Sequence, residues 1–403
     1  MKREELSFER PTELFASQPP EMRGQSRDEV RLMVTWPEGN NSHHVFTDLP
    51  TLLKQGDLLV VNESATLPAS LPATSQLGNI RLNLSTRFSD NLWIAEPRWS
   101  VSRPGPLPLE EGETLQIGDA TAKLLKSYPG IPRLWLTQFS IPATSLMAKY
   151  GEPIHYSYAP VYPMEAYQTL FSIFPGSAEM PSAARPITSR VHNTLVAQGI
   201  GITGLTLHTG VSSLEIEDEI VEHQALYPET FHVPAATANA VNATRARGGR
   251  VVAVGTTVVR ALETAWNGSM VRACAGSTSL YVHPGTGVHV VDGLLTGLHD
   301  PVTSHLAMLS TLMSIDHVRK AYAEAVEHRY LWHEFGDSHL IWKQQVESNY
   351  GRKRINAFQT DHCSRRSYLH SRAGPVSCLQ VLPGPSRHSC PIDRFILLGR
   401  LLI

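Results

Sequence analysis

The segment Arg250-Val-Val-Ala-Val-Gly-Thr-Thr-Val-Val-Arg-Ala-Leu-Glu263 carries the clearest chemistry in this chain. Its apolar run, Val251 to Val254, predicts a buried strand; a Gly-Thr-Thr turn follows, and a helix is expected to open at Val258. A helix start has backbone N–H groups without partners and the positive end of its dipole, so it favours anionic or hydroxyl-rich ligands. Gly255 lets a ligand approach the backbone closely, and the hydroxyls of Thr256 and Thr257 can cap the helix or bind. Arg260 and Glu263, three positions apart, fall on one helix face. The same pattern also describes an ordinary strand–helix connection with a threonine cap and a surface ion pair. Two nucleotide-binding patterns are excluded, because three spaced glycines are missing and no Gly-Lys-Ser/Thr follows.

Regular elements must position this turn. Val30 to Trp36 predicts a strand, Leu49 to Lys54 a helical piece, and Asp57 to Val61 an apolar strand after the Gly56-Asp57 turn. From 66 to 150 short alternating segments recur, such as Asn79 to Phe88, Asn91 to Ala95 and Arg133 to Phe139. Turn clusters such as Ser102-Arg-Pro-Gly-Pro106 separate them, as in a small antiparallel barrel or sandwich. From about 160 to 341 strands and helices alternate: helices at Thr188–Gln198, Ala235–Arg247 and His317–Tyr330, strands at Gly201–Gly210 and Val290–Leu295. The expected fold class is α/β. A mixed-sheet α/β main domain (1–65 and 151–341) holds an inserted small antiparallel β-barrel domain (66–150), with a basic tail at 342–403.

Composition is that of a globular protein, with 42% hydrophobic and 18% charged residues over 403 positions. The start Met1-Lys-Arg-Glu-Glu5 has no apolar run behind it, so no secretory signal is expected, and no apolar run approaches the roughly 20 residues of a membrane span. A cytoplasmic protein without membrane contact, favouring a monomer, is the expectation. The net charge of −2 hides an asymmetry. Residues 343–403 carry 10 Lys+Arg against 3 Asp+Glu, so the body is acidic, which argues against a broad nucleic-acid surface. The tail reads as an unstructured or non-native extension more readily than as a basic RNA-binding arm. Three of the 4 cysteines lie in it and form no Cys-x-x-Cys pair, and His43-His44 and His333 lack metal-ligand spacing, so no metal is expected.

Taken in order, several segments resemble the S-adenosylmethionine:tRNA ribosyltransferase-isomerases of queuosine biosynthesis. Val254-Gly-Thr-Thr-Val-Val-Arg-Ala-Leu-Glu263 resembles the family's V-G-T-T-x-x-R-x-L-E. Tyr167-Gln-Thr-Leu170, Pro181-Ser-Ala183, Leu205-Thr-Leu-His-Thr-Gly210, Tyr281-Val-His-Pro-Gly285, Leu295-Thr-Gly-Leu-His-Asp-Pro301 and Tyr330-Leu-Trp-His-Glu-Phe-Gly-Asp337 extend the resemblance from about Phe8 to Ile341. Departures fall at motif positions. The family's P-T-A-x-L-H-F has Pro186 at its histidine, and N-N-T-R-V-x-P-A-R-L has Ala65 and Ser70 at its arginines. His208-Thr-Gly-Val-Ser-Ser-Leu214 replaces H-V-G-A-G-T-F, and Glu222, His223 and Glu229 are what remains of an E-D-H-x-M-H-x-E segment.

The resemblance implies ribosyl transfer from S-adenosylmethionine to a 7-aminomethyl-deazaguanine base in tRNA, with rearrangement of the sugar and release of adenine and methionine. S-adenosylmethionine is then a co-substrate and tRNA the partner; no metal is demanded. The sulfonium acidifies adjacent C–H bonds, so a general base, polar groups for the ribose and an acid near adenine are needed. His299, in a Gly-Leu-His-Asp-Pro turn, is the first candidate for proton transfer and His208 the second, with a turn-stabilising role open for each. Gly255, Thr256, Thr257, Arg260, Glu263, Asn62, Ser182, Gly210 and Asp337 are the candidate substrate-binding positions. Asp337 is explained equally well by a Gly-Asp turn. Two other functions stay open: a nucleoside-using enzyme with another acceptor, and a non-catalytic binding paralogue.

Overall fold

The computed structural model describes residues 1–103, 105–211 and 215–344; the remainder of the basic tail, from 345 on, lies outside the described residues. A nine-stranded mixed sheet organises the chain. Its spatial order is Cys274–Thr278, Glu229–Val233, Gly201–Leu207, Leu58–Asn62, Val251–Val254, Gly293–Gly297, Ser338–Trp342, Arg31–Thr35, Asn41–Val45. The four strands from Gly201–Leu207 to Gly293–Gly297 run parallel, and antiparallel pairs flank them. Parallel strands covered on both faces need continuous apolar runs, and Leu58-Leu-Val-Val61 and Val251-Val-Ala-Val254 supply them. Leu58 and Val60 face one core with Val258, Leu262 and Leu309; Leu59 and Val61 face the other with Val191 and Leu195. No helix among the described residues is long and apolar enough to cross a membrane.

The strands Ser70–Ser75, Gly78–Arg87, Leu92–Arg98, Thr114–Ile117, Ala120–Tyr128 and Ile131–Phe139 close into an antiparallel barrel. Leu71, Leu82, Ile94, Leu115 and Leu124 fill it, and Leu146 and Met147 of the helix Ala143–Tyr150 join that core. The chain's way in and way out are tied together, Ser70 and Glu152 exchanging backbone hydrogen bonds of 2.9 and 3.0 Å.

Several boundaries differ from expectation for local reasons. The strand expected at Val290–Leu295 begins at Gly293, because the Glu263 carboxylate captures the Val290 N–H that a ladder would use. The last long helix is Ile315–Glu327; Arg329 turns left-handed at φ 55° and ends it before Tyr330. Trp342 still belongs to the sheet, so the tail starts later than position 342. The helix Ser304–Leu312 and the strand Ser338–Trp342 have no counterpart in the sequence reading. That helix is buried on most sides and shows no clean apolar stripe, the signal on which helix reading depends.

At the far end of the sheet, buried Asp57 accepts from Arg250 Nε (3.1 Å) and from the Lys54 N–H (2.8 Å), and the Arg250 guanidinium lies 3.9 Å over the Trp342 ring. Three strands meet there. Asp57→Ala strips the guanidinium of its partner and is expected to cost roughly 2–3 kcal/mol. Urea unfolding checks this; a change within about 0.5 kcal/mol, as for ordinary surface substitutions, would mean that the pair contributes nothing net.

Candidate functional site

A cavity of about 530 Å³ opens beyond the carboxyl ends of Val251–Val254 and Gly293–Gly297. This is the side of a parallel sheet where ligands usually bind. The strand passes into the helix Thr256–Ala265 through Gly255 alone, at φ 98° and ψ 151°, a conformation essentially reserved for glycine. The helix therefore starts at Thr256, two residues earlier than expected. Gly255 keeps its N–H on Leu295 O at 2.8 Å while Thr256 and Thr257 face the cavity. Fully buried Asn62 holds the turn from behind. Its Nδ2 donates to Leu207 O (2.8 Å) and Thr257 Oγ1 (3.2 Å), and its Oδ1 accepts from Leu207 N (3.0 Å) and Ser64 N (3.1 Å).

His299 lines the same cavity just past the strand Gly293–Gly297. Its backbone N–H donates to Tyr322 OH and its carbonyl accepts from Trp332 Nε1, at 3.2 and 3.0 Å, which fixes the turn. Nε2 pairs with Thr296 Oγ1 at 2.8 Å, and Nδ1 has no hydrogen bond among the described residues. His305, in the first turn of Ser304–Leu312, places its ring 4.5 Å from His299. Burial, and then the neighbouring His305, His339 and His333, hold His299 well below the usual imidazole range, so it is neutral at working pH. Burial and the Arg260 charge bring His305 down to about 4.

The opposite wall is aromatic and acidic. Phe15, Tyr158 and His333 stack with centroids 4.6 to 4.8 Å apart, and the Arg10 guanidinium covers Phe15 at 3.7 Å. Tyr156 donates to Glu179, and Tyr158 to Glu334 at 2.9 Å. Burial and these carboxylates keep both phenols protonated. On the barrel side, Arg98 and Arg133 share the buried Glu96 carboxylate at 3.3 and 2.8 Å.

Of the positions expected at the site, Gly255, Thr256, Thr257, Ser182 and His299 line this cavity together. Arg260 borders a smaller adjoining one and is committed to Glu229, Leu280 O and Thr278 O. Glu263 does not pair with Arg260; it accepts from His289 N and Val290 N and anchors the loop before the strand. His208 lies outside the lining, its Nδ1 on Ser64 Oγ at 2.8 Å and its ring against Gly176. Gly210 is a close-packing position, where a Cβ would stand 2.3 Å from Ser85 Oγ. Asn62 acts from behind, as described. Asp337 is held by Arg31 and by Leu331 N, an ion-paired turn bordering a minor cleft. Ser70, at a missing-arginine position, carries the guanidinium of Arg81, whose Nη2 lies 2.9 Å from its Oγ. Glu229 accepts from Gly210 N as well as Arg260. Tyr156, Tyr158, Glu179, His305 and Glu334 were not singled out by the sequence reading; Glu334 lies within the family-like segment 330–337, and the other four, on separate loops and a helix, carry no local motif.

Beneath the cavity lies His339, fully buried opposite Thr296 in the sheet, with Nε2 2.8 Å from Thr35 Oγ1. Burial brings it down to about 3. An unfolded chain protonates its histidines near 6.5, so below that pH it takes up a proton that the fold refuses. The stability this neutral histidine supports is full above pH 6.5 and is lost as pH falls toward 3, by about 1.4 kcal/mol per pH unit. His339→Gln is expected to flatten the stability–pH curve between about pH 5 and 6 by that slope. An unchanged slope in chemical denaturation would show that His339 is protonated in the fold.

A family model described as queuosine biosynthesis protein matches residues 3–341. The S-adenosylmethionine:tRNA ribosyltransferase-isomerase of Anaeromyxobacter sp. (strain Fw109-5) is 36% identical over 348 residues, covering 85% of this chain and 99% of its own length. The protein of the same name from Rubrobacter xylanophilus is 36% identical over 346 residues, 85% and 98% of the two chains. The crystal structure of S-adenosylmethionine tRNA ribosyltransferase from Thermotoga maritima aligns with 84% of this chain and 99% of that one, at 28% identity and a TM-score of 0.48. By the family model and these full-length relatives, the chain belongs to the queuosine biosynthesis family of S-adenosylmethionine:tRNA ribosyltransferase-isomerases.

Proposed function

We propose that this protein transfers and isomerises the ribosyl moiety of S-adenosylmethionine onto 7-aminomethyl-7-deazaguanine in tRNA, in the cytoplasm, giving epoxyqueuosine-tRNA, adenine and methionine. The observation that carries the reading is one cavity joining the helix start at Thr256 to a neutral, buried His299. The helix N–H groups and the Thr256 and Thr257 hydroxyls suit the carboxylate or ribose of the donor. The volume is in the range that encloses a nucleoside-sized ligand. Phe15, Tyr158 and His333 offer a flat stack for adenine. His299, with its lone pair uncharged, is the base for a C–H bond beside the sulfonium.

On the acceptor side, two guanidiniums share one carboxylate, so Arg98, Arg133 and Glu96 leave one net positive charge on the barrel wall. An RNA phosphate fits such a site. A different acceptor is the second reading, favoured by Ala65 and Ser70 at the family's arginine positions.

The test is to incubate the full chain with S-adenosylmethionine and tRNA bearing the aminomethyl base. Release of adenine and methionine with label on the tRNA is the expected outcome. Release without labelled tRNA selects the other acceptor, and no nucleoside binding by calorimetry rejects both enzymatic readings. His299→Asn is expected to lower kcat by about 10²–10⁴ with little change in donor affinity, the range for a lost general base. A variant that keeps wild-type kcat removes His299 from proton transfer.

A further inference from the structure

We infer that His43, Glu324 and His328 form a binding site for a late first-row divalent cation such as zinc, at the edge of the sheet and outside the cavity lining. His43 comes from the edge strand Asn41–Val45; Glu324 and His328 are four apart at the end of the helix Ile315–Glu327, on one helix face. One ligand atom from each residue lies within 4.8 Å of the others. Ligands of a tetrahedral zinc ion stand roughly 3.4 Å apart, at bonds near 2.0–2.1 Å, so the widest separation closes by up to about 1.4 Å while the closest pair opens by about 0.6 Å. His43 Nε2 and Glu324 Oε1 are already 2.8 Å apart, and the rings of His43 and His328 stack at 4.2 Å.

The remaining polar atoms of two ligands are held in the manner of a metal site's outer shell. His43 Nδ1 is 2.8 Å from Tyr330 OH, which leaves Nε2 facing the centre. Glu324 Oε2 accepts from Asn41 Nδ2 at 2.7 Å, which leaves Oε1 facing it. The His328 imidazole has no hydrogen bond among the described residues. Two imidazoles and one carboxylate suit zinc and its neighbours over calcium or magnesium, and three protein ligands leave a fourth position for water. Side-chain exposures of 30% for His43 and 26% for Glu324 give an ion access. The pattern escaped the sequence because His43 and Glu324 are 281 positions apart.

The bound ion clamps the edge strand to the helix, so binding raises the unfolding temperature. The full chain, stripped with EDTA, is titrated with zinc chloride against a chromophoric chelator, beside His328→Ala, Glu324→Gln and, as a neighbouring control, His44→Ala. One site per chain is expected in wild type and in His44→Ala. At least about a tenfold loss of affinity is expected in the other two, the least that even an outer-shell loss costs. Zinc should raise Tm in wild type and not in His328→Ala, and cobalt should give tetrahedral d–d bands without a thiolate charge-transfer band. His328 is exposed, so its variant folds. No zinc binding in wild type, equal affinity in His328→Ala, or a thiolate band assigning the ion to the cysteines would each overturn the site.

Discussion

The site hangs on one buried carboxamide. Asn62 sits at zero exposure where the parallel strands Leu58–Asn62 and Gly201–Leu207 end, and it bonds both the N–H and the carbonyl of Leu207. Past Leu205 the second strand diverges, and the backbone groups of Leu207 on this side have no ladder partner in the first. Asn62 replaces that ladder, and the same amide reaches Thr257 Oγ1. In a dry interior, each of these groups left unpaired would cost about 1–3 kcal/mol. The fold therefore cannot place its strand ends without also placing the first turn of the site helix. Gly255 completes the constraint, since only a residue without Cβ turns from Val254 into Thr256 in a single step.

A second consequence of the dry interior is the state of its histidines. His299, His305 and His339 are all held neutral, mainly by burial. Neutrality makes His299 a base in form, but a depressed pKa makes it a weak one. A bound sulfonium would depress it further; the donor's carboxylate and an RNA phosphate would act the other way. On the proposed reading, the base gains strength only when the anionic acceptor is seated, which would tie proton abstraction to the complete complex.

How far the sequence led is clearest at single residues. Val251 to Gly255 announced a strand and a turn because an apolar run followed by glycine is a local signal, and Thr188 and Gly199 bounded a helix for the same reason. The barrel strands were visible through alternation, as in Asn79 to Phe88, which falls on the strand Gly78–Arg87. Arg260 and Glu263 were misplaced because spacing on a helix shows which face two residues share, not what faces them. Each found a buried partner on another element, Glu229 and the His289–Val290 backbone. His208 and His299 both follow strands before a turn, yet only His299 enters the cavity; His208 is turned onto Ser64 by contacts that join strands 144 positions apart. The aromatic wall had no local signature as a wall: His333 lies in the family-like segment 330–337, but it meets Phe15 and Tyr158 only through the fold.

The acidic body looked unfavourable for RNA, and the structure shows why net charge is a poor guide here. Electrostatic recognition acts over about a Debye length, roughly 8–10 Å, so a charge balance at the cavity rim outweighs carboxylates on remote faces. Of the carboxylates in and beside this lining, Glu96 is paired with Arg98 and Arg133 and Asp300 with Arg10, while Glu215 and Glu217 are exposed lining residues. Glu179 and Glu334 are bonded by phenols and turn their charge inward to hold Tyr156 and Tyr158. On the wall that the barrel contributes, two guanidiniums, Arg98 and Arg133, share one carboxylate, Glu96. An inserted barrel lets that wall be built independently of the sheet that carries His299 and the Thr256 turn. The same separation explains how arginine positions at 65 and 70 can change without disturbing the donor side: Ala65 lies on the connection into the barrel and Ser70 at the start of its first strand, where Arg81 of the neighbouring strand already covers Ser70.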